Sequence, residues 1–143
     1  MYVDPRGPRF GAAVTTLVLA LVLLSGSGWL LAAQAAVFAL GAFAGLQYSP
    51  YGLLFSRFVR PRLAPPDELE PAAPPRFAQF VGFLFAIVGT LGYAAGLTAL
   101  GVVATAAALA AAFLNAAFGF CLGCEMYLLF RRSVPRRLAA PRT

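Results

Sequence analysis

The chain has 143 residues, of which 61% are hydrophobic and only 11% charged, with a net charge of +6. Soluble domains run nearer to roughly 45–50% apolar and 25% charged residues, so this composition excludes an ordinary soluble fold and points to a bilayer as solvent. All eleven basic residues are arginine and histidine is absent, which removes Ser–His pairs, histidine-held haem or zinc, and Schiff-base lysines from the chemistry of one chain.

In chain order, Arg6 and Arg9 precede a first charge-free run, residues 10–27. It imitates a secretory signal, with Ala33-Gln34-Ala35 as a nominal cleavage site. That tripeptide lies well beyond the apolar stretch ending at Leu24, and the same opening recurs mid-chain, so the run reads as a retained span. The uncharged turn Ser25-Gly26-Ser27-Gly28 leads to a second run, residues 29–46. Gln47-Tyr48-Ser49-Pro50 breaks the pattern. Ser49 as N-cap and Pro50 at the first helical position predict a short amphipathic helix, residues 51–60, along the membrane interface. Residues 61–75 are proline-rich and predict an extended linker with solvated Asp67, Glu68 and Glu70. Residues 77–97 and 98–120 form the third and fourth runs. About 20 residues cross a bilayer as a helix, so four transmembrane helices are expected. No alternating pattern of barrel strands is present.

The remaining arginines fall between runs two and three (Arg57, Arg60, Arg62, Arg76) or after run four (Arg131, Arg132, Arg136, Arg137, Arg142). The outer turns carry none. The positive-inside rule therefore places both termini and the central loop in the cytoplasm of a multi-pass protein of the cell membrane. Arginines gathered at span ends are not a nucleic-acid footprint, so no nucleic-acid partner is expected.

Pro8-Arg9-Phe10 recurs as Pro75-Arg76-Phe77, and Leu53-Leu54-Phe55-x-Arg57-x-Val59 recurs as Leu128-Leu129-Phe130-x-Arg132-x-Val134. Each unit holds two spans, so the repeat is parallel, about an axis along the membrane normal. The expected fold is an all-α membrane protein: four transmembrane helices as two hairpins, each followed by a short interfacial helix. Repeat units 8–63 and 75–138 flank the linker in a single domain, residues 1–143. In this register Ser49 falls on Cys124 and Leu46 on Cys121.

Cys121-Leu122-Gly123-Cys124 is the one constellation with a reaction in it. The spacing brings two thiols within disulfide range around one turn. If a helix begins near Glu125, Cys124 is its N-cap, where free N–H groups and the helix dipole favour a thiolate. Cys124 is then the attacking thiol, Cys121 the resolving one, and Glu125 a neighbouring charge or proton acceptor. Packing is the bland account of cysteines in membrane helices, but a pair beside an acid at membrane depth favours chemistry. Two thiols and one carboxylate are too few ligands for zinc, and no metal or other cofactor is expected. Asn115, inside the fourth span, reads as an inter-helix hydrogen-bond partner or a substrate contact, and Gln34 and Gln79 as inter-helix partners. Gly41-x-x-x-Gly45 and Gly92-x-x-x-Gly96 fit small-residue helix packing. Trp29, Tyr48, Tyr51 and Tyr127 fit aromatic belts.

The run from Asn115 to Tyr127, with its Gly-x-Cys-x-Gly-Cys-Glu-x-Tyr segment, together with Tyr48-Ser49-Pro50-Tyr51-Gly52, resembles an uncharacterised family of small actinobacterial-type membrane proteins, a domain of unknown function. The resemblance covers essentially the whole chain. It implies thioredoxin-like or rhodanese-like partners, near which such proteins are often encoded, and hence sulfur or thiol redox chemistry. A looser likeness exists to the membrane hairpin of some rhodaneses, where a Gly-x-Cys-Pro segment closes a span; Cys121-Leu122 lacks that proline. Quinone-linked thiol oxidoreductases carry C-x-x-C on the oxidising side of the membrane, opposite to the side expected here.

Three functions are thus in view. The leading one is thiol–disulfide exchange or persulfide relay by Cys121 and Cys124 with a cytoplasmic thioredoxin-like or rhodanese-like partner. The second is a transporter or channel for a small sulfur species, which would need a homo-oligomer, and the third a structural anchor for a catalytic partner.

Overall fold

The computed structural model describes residues 2–65 and 69–133. Asp67, Glu68, Arg136, Arg137 and Arg142 lie outside the described residues.

After a two-residue strand β1 (Tyr2–Val3), helix α1 runs over Arg6–Ser25. It stops at Gly26, whose left-handed backbone (φ 68°) turns the amide back onto the Val22 carbonyl. Ser27 immediately starts α2 (Gly28–Ala39), its hydroxyl accepting the Leu30 amide at 3.1 Å. A single π turn, Leu40–Ala44, extends α2 until Gly45 ends it with φ 131°. Ser49 and Pro50 then begin α3 (Pro50–Leu54), as the capping pattern predicts, although the Ser49 side chain makes no cap bond. The helix continues through a π turn, Phe55–Val59, and a 3-10 turn, Arg60–Arg62. Strand β2 (Glu70–Pro71) pairs antiparallel with β1, Tyr2 opposite Pro71 and Val3 opposite Glu70. Helices α4 (Ala73–Ala94), α5 (Thr98–Phe118) and α6 (Leu122–Ser133) complete the described chain.

Three helices, α1, α4 and α5, are long and apolar enough to cross a membrane. The second apolar segment, Gly28–Ala44, is shorter. Its 17 residues span about 25 Å at 1.5 Å per residue, against a hydrocarbon core of about 30 Å. The difference from four equal spans comes from Gly45, which ends the helix before Leu46. Between 17% and 22% of each long span is buried, leaving Leu17, Leu21, Leu84, Leu91 and Val103 among many large apolar side chains on the surface. That outer surface is what a lipid-facing protein presents.

Helix α1 packs along α5, α2 along α4, and α4 against α5, whereas α1 and α2 touch sparingly. Leu19, Val22, Leu31, Ala35, Phe38, Ala86 and Ala108 form the core between them. Of the two small-residue pairs read in the sequence, only one member each packs. A Cβ on Gly92 would stand 2.8 Å from the Gly101 amide nitrogen of α5, and one on Gly41 would stand 2.9 Å from Gln79 Oε1. Gly45 and Gly96 instead take positive φ and turn the chain.

The proline-rich segment differs from a free linker. Besides the β1–β2 pairing, the Arg6 guanidinium donates to the Ala64 carbonyl at 2.9 Å, and Ala72 is buried. Asp4, 2% exposed, organises this corner. Its Oδ1 accepts the Arg6 amide and Nε, each at 3.0 Å, and its Oδ2 accepts Arg6 Nη2 at 2.8 Å, with Arg60 Nε 3.8 Å away. The side-chain hydrogen bond from Arg6 is the main reason the Asp4 carboxyl is held below its ordinary value, against the opposing effect of burial. The N-terminus and both described ends of the proline-rich segment thereby meet at one end of the molecule.

Candidate functional site at the α5–α6 break

Gly119 ends α5 in the left-handed region (φ 70°), its amide reaching back to the Asn115 carbonyl. Two residues later the chain re-enters a helix, and Cys121 rather than Cys124 stands at the start. The Cys121 carbonyl accepts the Glu125 amide at 3.0 Å, and its Sγ accepts the Cys124 amide at 3.1 Å. Cys124 lies within the first turn of α6. The sequence register, with a helix beginning near Glu125 and Cys124 as cap, is corrected by three residues. The cause is Gly119, whose backbone ends α5 early enough for α6 to begin at Leu122.

Cys121 and Cys124 form a disulfide with Cα atoms 5.1 Å apart, and both are half-buried. Two neighbours seat α6 against α4. A Cβ on Gly123 would meet Ala78 Cα and Cβ at 2.5 Å, so α6 lies on the start of α4 where only hydrogen fits. One turn on, the Tyr127 ring sits 5.7 Å from that of Phe77, and Arg131 both covers the Tyr127 ring and donates to its hydroxyl at 3.1 Å. Tyr127, read as a belt residue, is thus an anchor.

The disulfide lines a cavity of about 570 Å³ between α1, α4 and α5. Its wall on α5 is alanine (Ala107, Ala108, Ala111, Ala112), with Phe38, Val81 and Phe85 facing it. Polar groups are few: Thr15, Gln79 and Asn115 on the walls, and Arg9 and Glu70 toward the end shared with the cysteines. The Asn115 side chain has no hydrogen-bond partner among the described residues, so the inter-helix bond expected of it is not made. Gln34 lies elsewhere, accepting the Tyr51 hydroxyl at 2.5 Å. Glu125 is exposed in the first turn of α6 and does not line the cavity. The predicted Cys121, Cys124 and Asn115 therefore share one space, and Glu125 stands outside it.

Arg9 was legible only as a charge near a span end, and its role is more specific. Its Nη2 donates to the Ala116 carbonyl at 3.0 Å, and the guanidinium packs 3.6 Å from where a Cβ on Gly119 would be. Arg76 does the same at the end of α2: Nε and Nη2 donate to the Ala42 carbonyl at 3.2 and 2.9 Å, and Nη2 to that of Phe43 at 3.3 Å. Each arginine, from the entry of one pair of helices, holds the exit of the other pair, three residues before the glycine that ends it. The positive charge suits a helix C-terminus. Phe10 against Phe55 (5.9 Å) matches Phe77 against Tyr127, and Gly11 against Tyr51 matches Ala78 against Gly123. In this register Ser49 corresponds to Cys121.

Apolar helices of spanning length, an exposed apolar surface and a C-x-x-C disulfide at a helix start define a helical protein of membrane type with a cystine site. The chain belongs to the family described as Domain of unknown function (DUF4395), whose model matches residues 3–132. No curated protein and no solved structure shows a significant match to it.

Proposed function

We propose that this protein is an integral protein of the cell membrane, with four crossings in two hairpins and both termini cytoplasmic, whose cysteine pair performs thiol–disulfide exchange with a thioredoxin-like or rhodanese-like partner. The crosswise arginine caps and the matched aromatic pairs support two repeated hairpins, the first of them open and packed on the second. The meeting of β1, β2 and the arginines at one end supports a single basic, cytoplasmic side.

The observation that carries the reaction is the Cys124 amide directed at Cys121 Sγ at the start of α6. In the reduced protein that amide and the helix N-terminus stabilise a Cys121 thiolate. This thiolate attacks one sulfur of the partner's disulfide, and the partner's second cysteine leaves as a thiolate that takes a proton. Cys124 then loses its proton, attacks Cys121 Sγ and breaks the mixed disulfide. The cystine of α6 is formed, the partner leaves as a dithiol, and two electrons have passed. A more reducing partner runs the sequence backward. Cys121, not Cys124, is therefore the attacking thiol.

Single-cysteine variants in membranes test this against a thioredoxin-like disulfide partner. Cys124→Ser should trap a mixed disulfide on Cys121, while Cys121→Ser should trap little. Absence of any adduct in both variants refutes exchange, and preferential trapping on Cys124 refutes the capping argument.

A further inference from the structure

Arg9 and Arg76 occupy equivalent places and are used differently. Arg76 commits Nε and Nη2 to two carbonyls. Arg9 commits only Nη2, to the Ala116 carbonyl, and its remaining donors have no partner among the described residues. A guanidinium offers five N–H donors, so Arg9 keeps most of them open beside the cavity that holds the disulfide. Glu70, the other charged residue on the lining, is exposed and forms no ion pair among the described residues. Next to the Ala116 carbonyl that Arg9 holds, Asn115 adds an unpaired carboxamide, and the walls are alanine, valine and phenylalanine. A volume of about 570 Å³ falls in the range of small organic ligand sites, roughly 300–1,000 Å³. An inorganic oxyanion would leave most of those apolar walls bare.

We infer that this cavity is a binding site for a small organic thiol bearing an acidic group, with Arg9 holding the anion and the body of the molecule against the alanine wall. The inference rests on the exchange function proposed above and names its small-molecule substrate. The substrate thiolate attacks Cys124 Sγ and breaks the S–S bond, and Cys121 leaves as the amide-stabilised thiolate. A second substrate thiolate attacks the substrate sulfur of the mixed disulfide, releasing the substrate disulfide and the Cys124 thiolate, which takes a proton. Two substrate thiols are oxidised and one protein cystine is reduced.

The test reads charge preference in the cavity with and without the native cystine. In the full chain carrying Cys121→Ser, Cys124→Ser and Ala112→Cys, labelling rates by sulfonatoethyl and trimethylammonioethyl methanethiosulfonate are each normalised to those with free β-mercaptoethanol. The anionic reagent should be favoured roughly tenfold, the value of one charge-assisted hydrogen bond. Arg9→Gln should abolish the preference and Arg9→Lys should keep most of it. Asn115→Asp, which leaves the α5 cap intact, should reverse it. With the native cystine, mercaptopropionate should outrun cysteamine at equal thiolate concentration, again dependent on Arg9. A cystine inert to every thiol, beside Arg9-dependent anion labelling, would sink the exchange function and leave the anion site standing. Equal normalised rates for the two reagents, or a preference indifferent to Arg9 and Asn115, would overturn the site.

Discussion

Gly123 makes a sharp prediction because its neighbour is backbone. The Cβ introduced by Gly123→Ala would stand 2.5 Å from both Cα and Cβ of Ala78. Carbon pairs rest at about 3.5–4.0 Å, so α6 must move off α4 by roughly 1 Å. Overpacking of this kind costs about 1–3 kcal/mol, set against at most about 1 kcal/mol gained by alanine over glycine in a helix. In the matching seat of the first half the glycine stands on the other helix, at Gly11, the counterpart of Ala78, where a Cβ would meet only Tyr51 Cβ at 3.8 Å, an ordinary contact. Gly11→Ala should therefore be neutral or stabilising, and the two variants should differ by about 2 kcal/mol. Thermal unfolding of the full chain in detergent measures the difference, and the rate of cystine reduction by dithiothreitol reports whether the α6 start has shifted. A Gly123→Ala protein as stable as Gly11→Ala would refute the close α4–α6 seat.

Arg76→Gln, which loses three charge-assisted bonds, should destabilise by about 2 kcal/mol, and Arg9→Gln, which loses one, by about 1 kcal/mol; equal losses in thermal unfolding would contradict the unequal caps. Because the Asp4 carboxyl is held below the ordinary 3.8, its stabilising effect is complete above that pH and fades as pH falls through the lower folded value. Asp4→Asn should thus be less stable at neutral pH and should show a shallower acid loss below pH 3.8, as followed by unfolding midpoints across pH. In a background without native cysteines, Ser25→Cys and Leu69→Cys should label from opposite faces of sealed membranes; labelling from one face would sink the proposed topology.

The helices were legible because their signals are local: charge-free apolar runs, and Ser49-Pro50 in front of α3. The register of the second break was not. Matching Leu and Phe between the two halves aligned Ser49 with Cys124, whereas Gly119's positive φ and the Phe77–Tyr127 contact place Cys121 at that position. Arg9 and Arg76 were visible as a repeat, but their acceptors are backbone carbonyls, which no side-chain pattern marks. Asp4 escaped notice because an acid two residues before an arginine reads as a solvated pair until β1 and Arg60 enclose it. The cavity leaves little trace in sequence, since its walls are alanines indistinguishable from those that pack.

The crosswise arginines also govern when the chain can be finished. As the polypeptide emerges from the ribosome, the Ala42 and Phe43 carbonyls wait for Arg76, and Arg9 waits for Ala116. Neither pair of helices can mature by itself: the end of α2 is completed only by Arg76 of α4, and the end of α5 only by Arg9 of the first-made helix. Synthesis interrupted after the first pair should yield a fragment with an open α2 end, open to quality-control proteolysis, and supplying the second pair as a separate chain should rescue it.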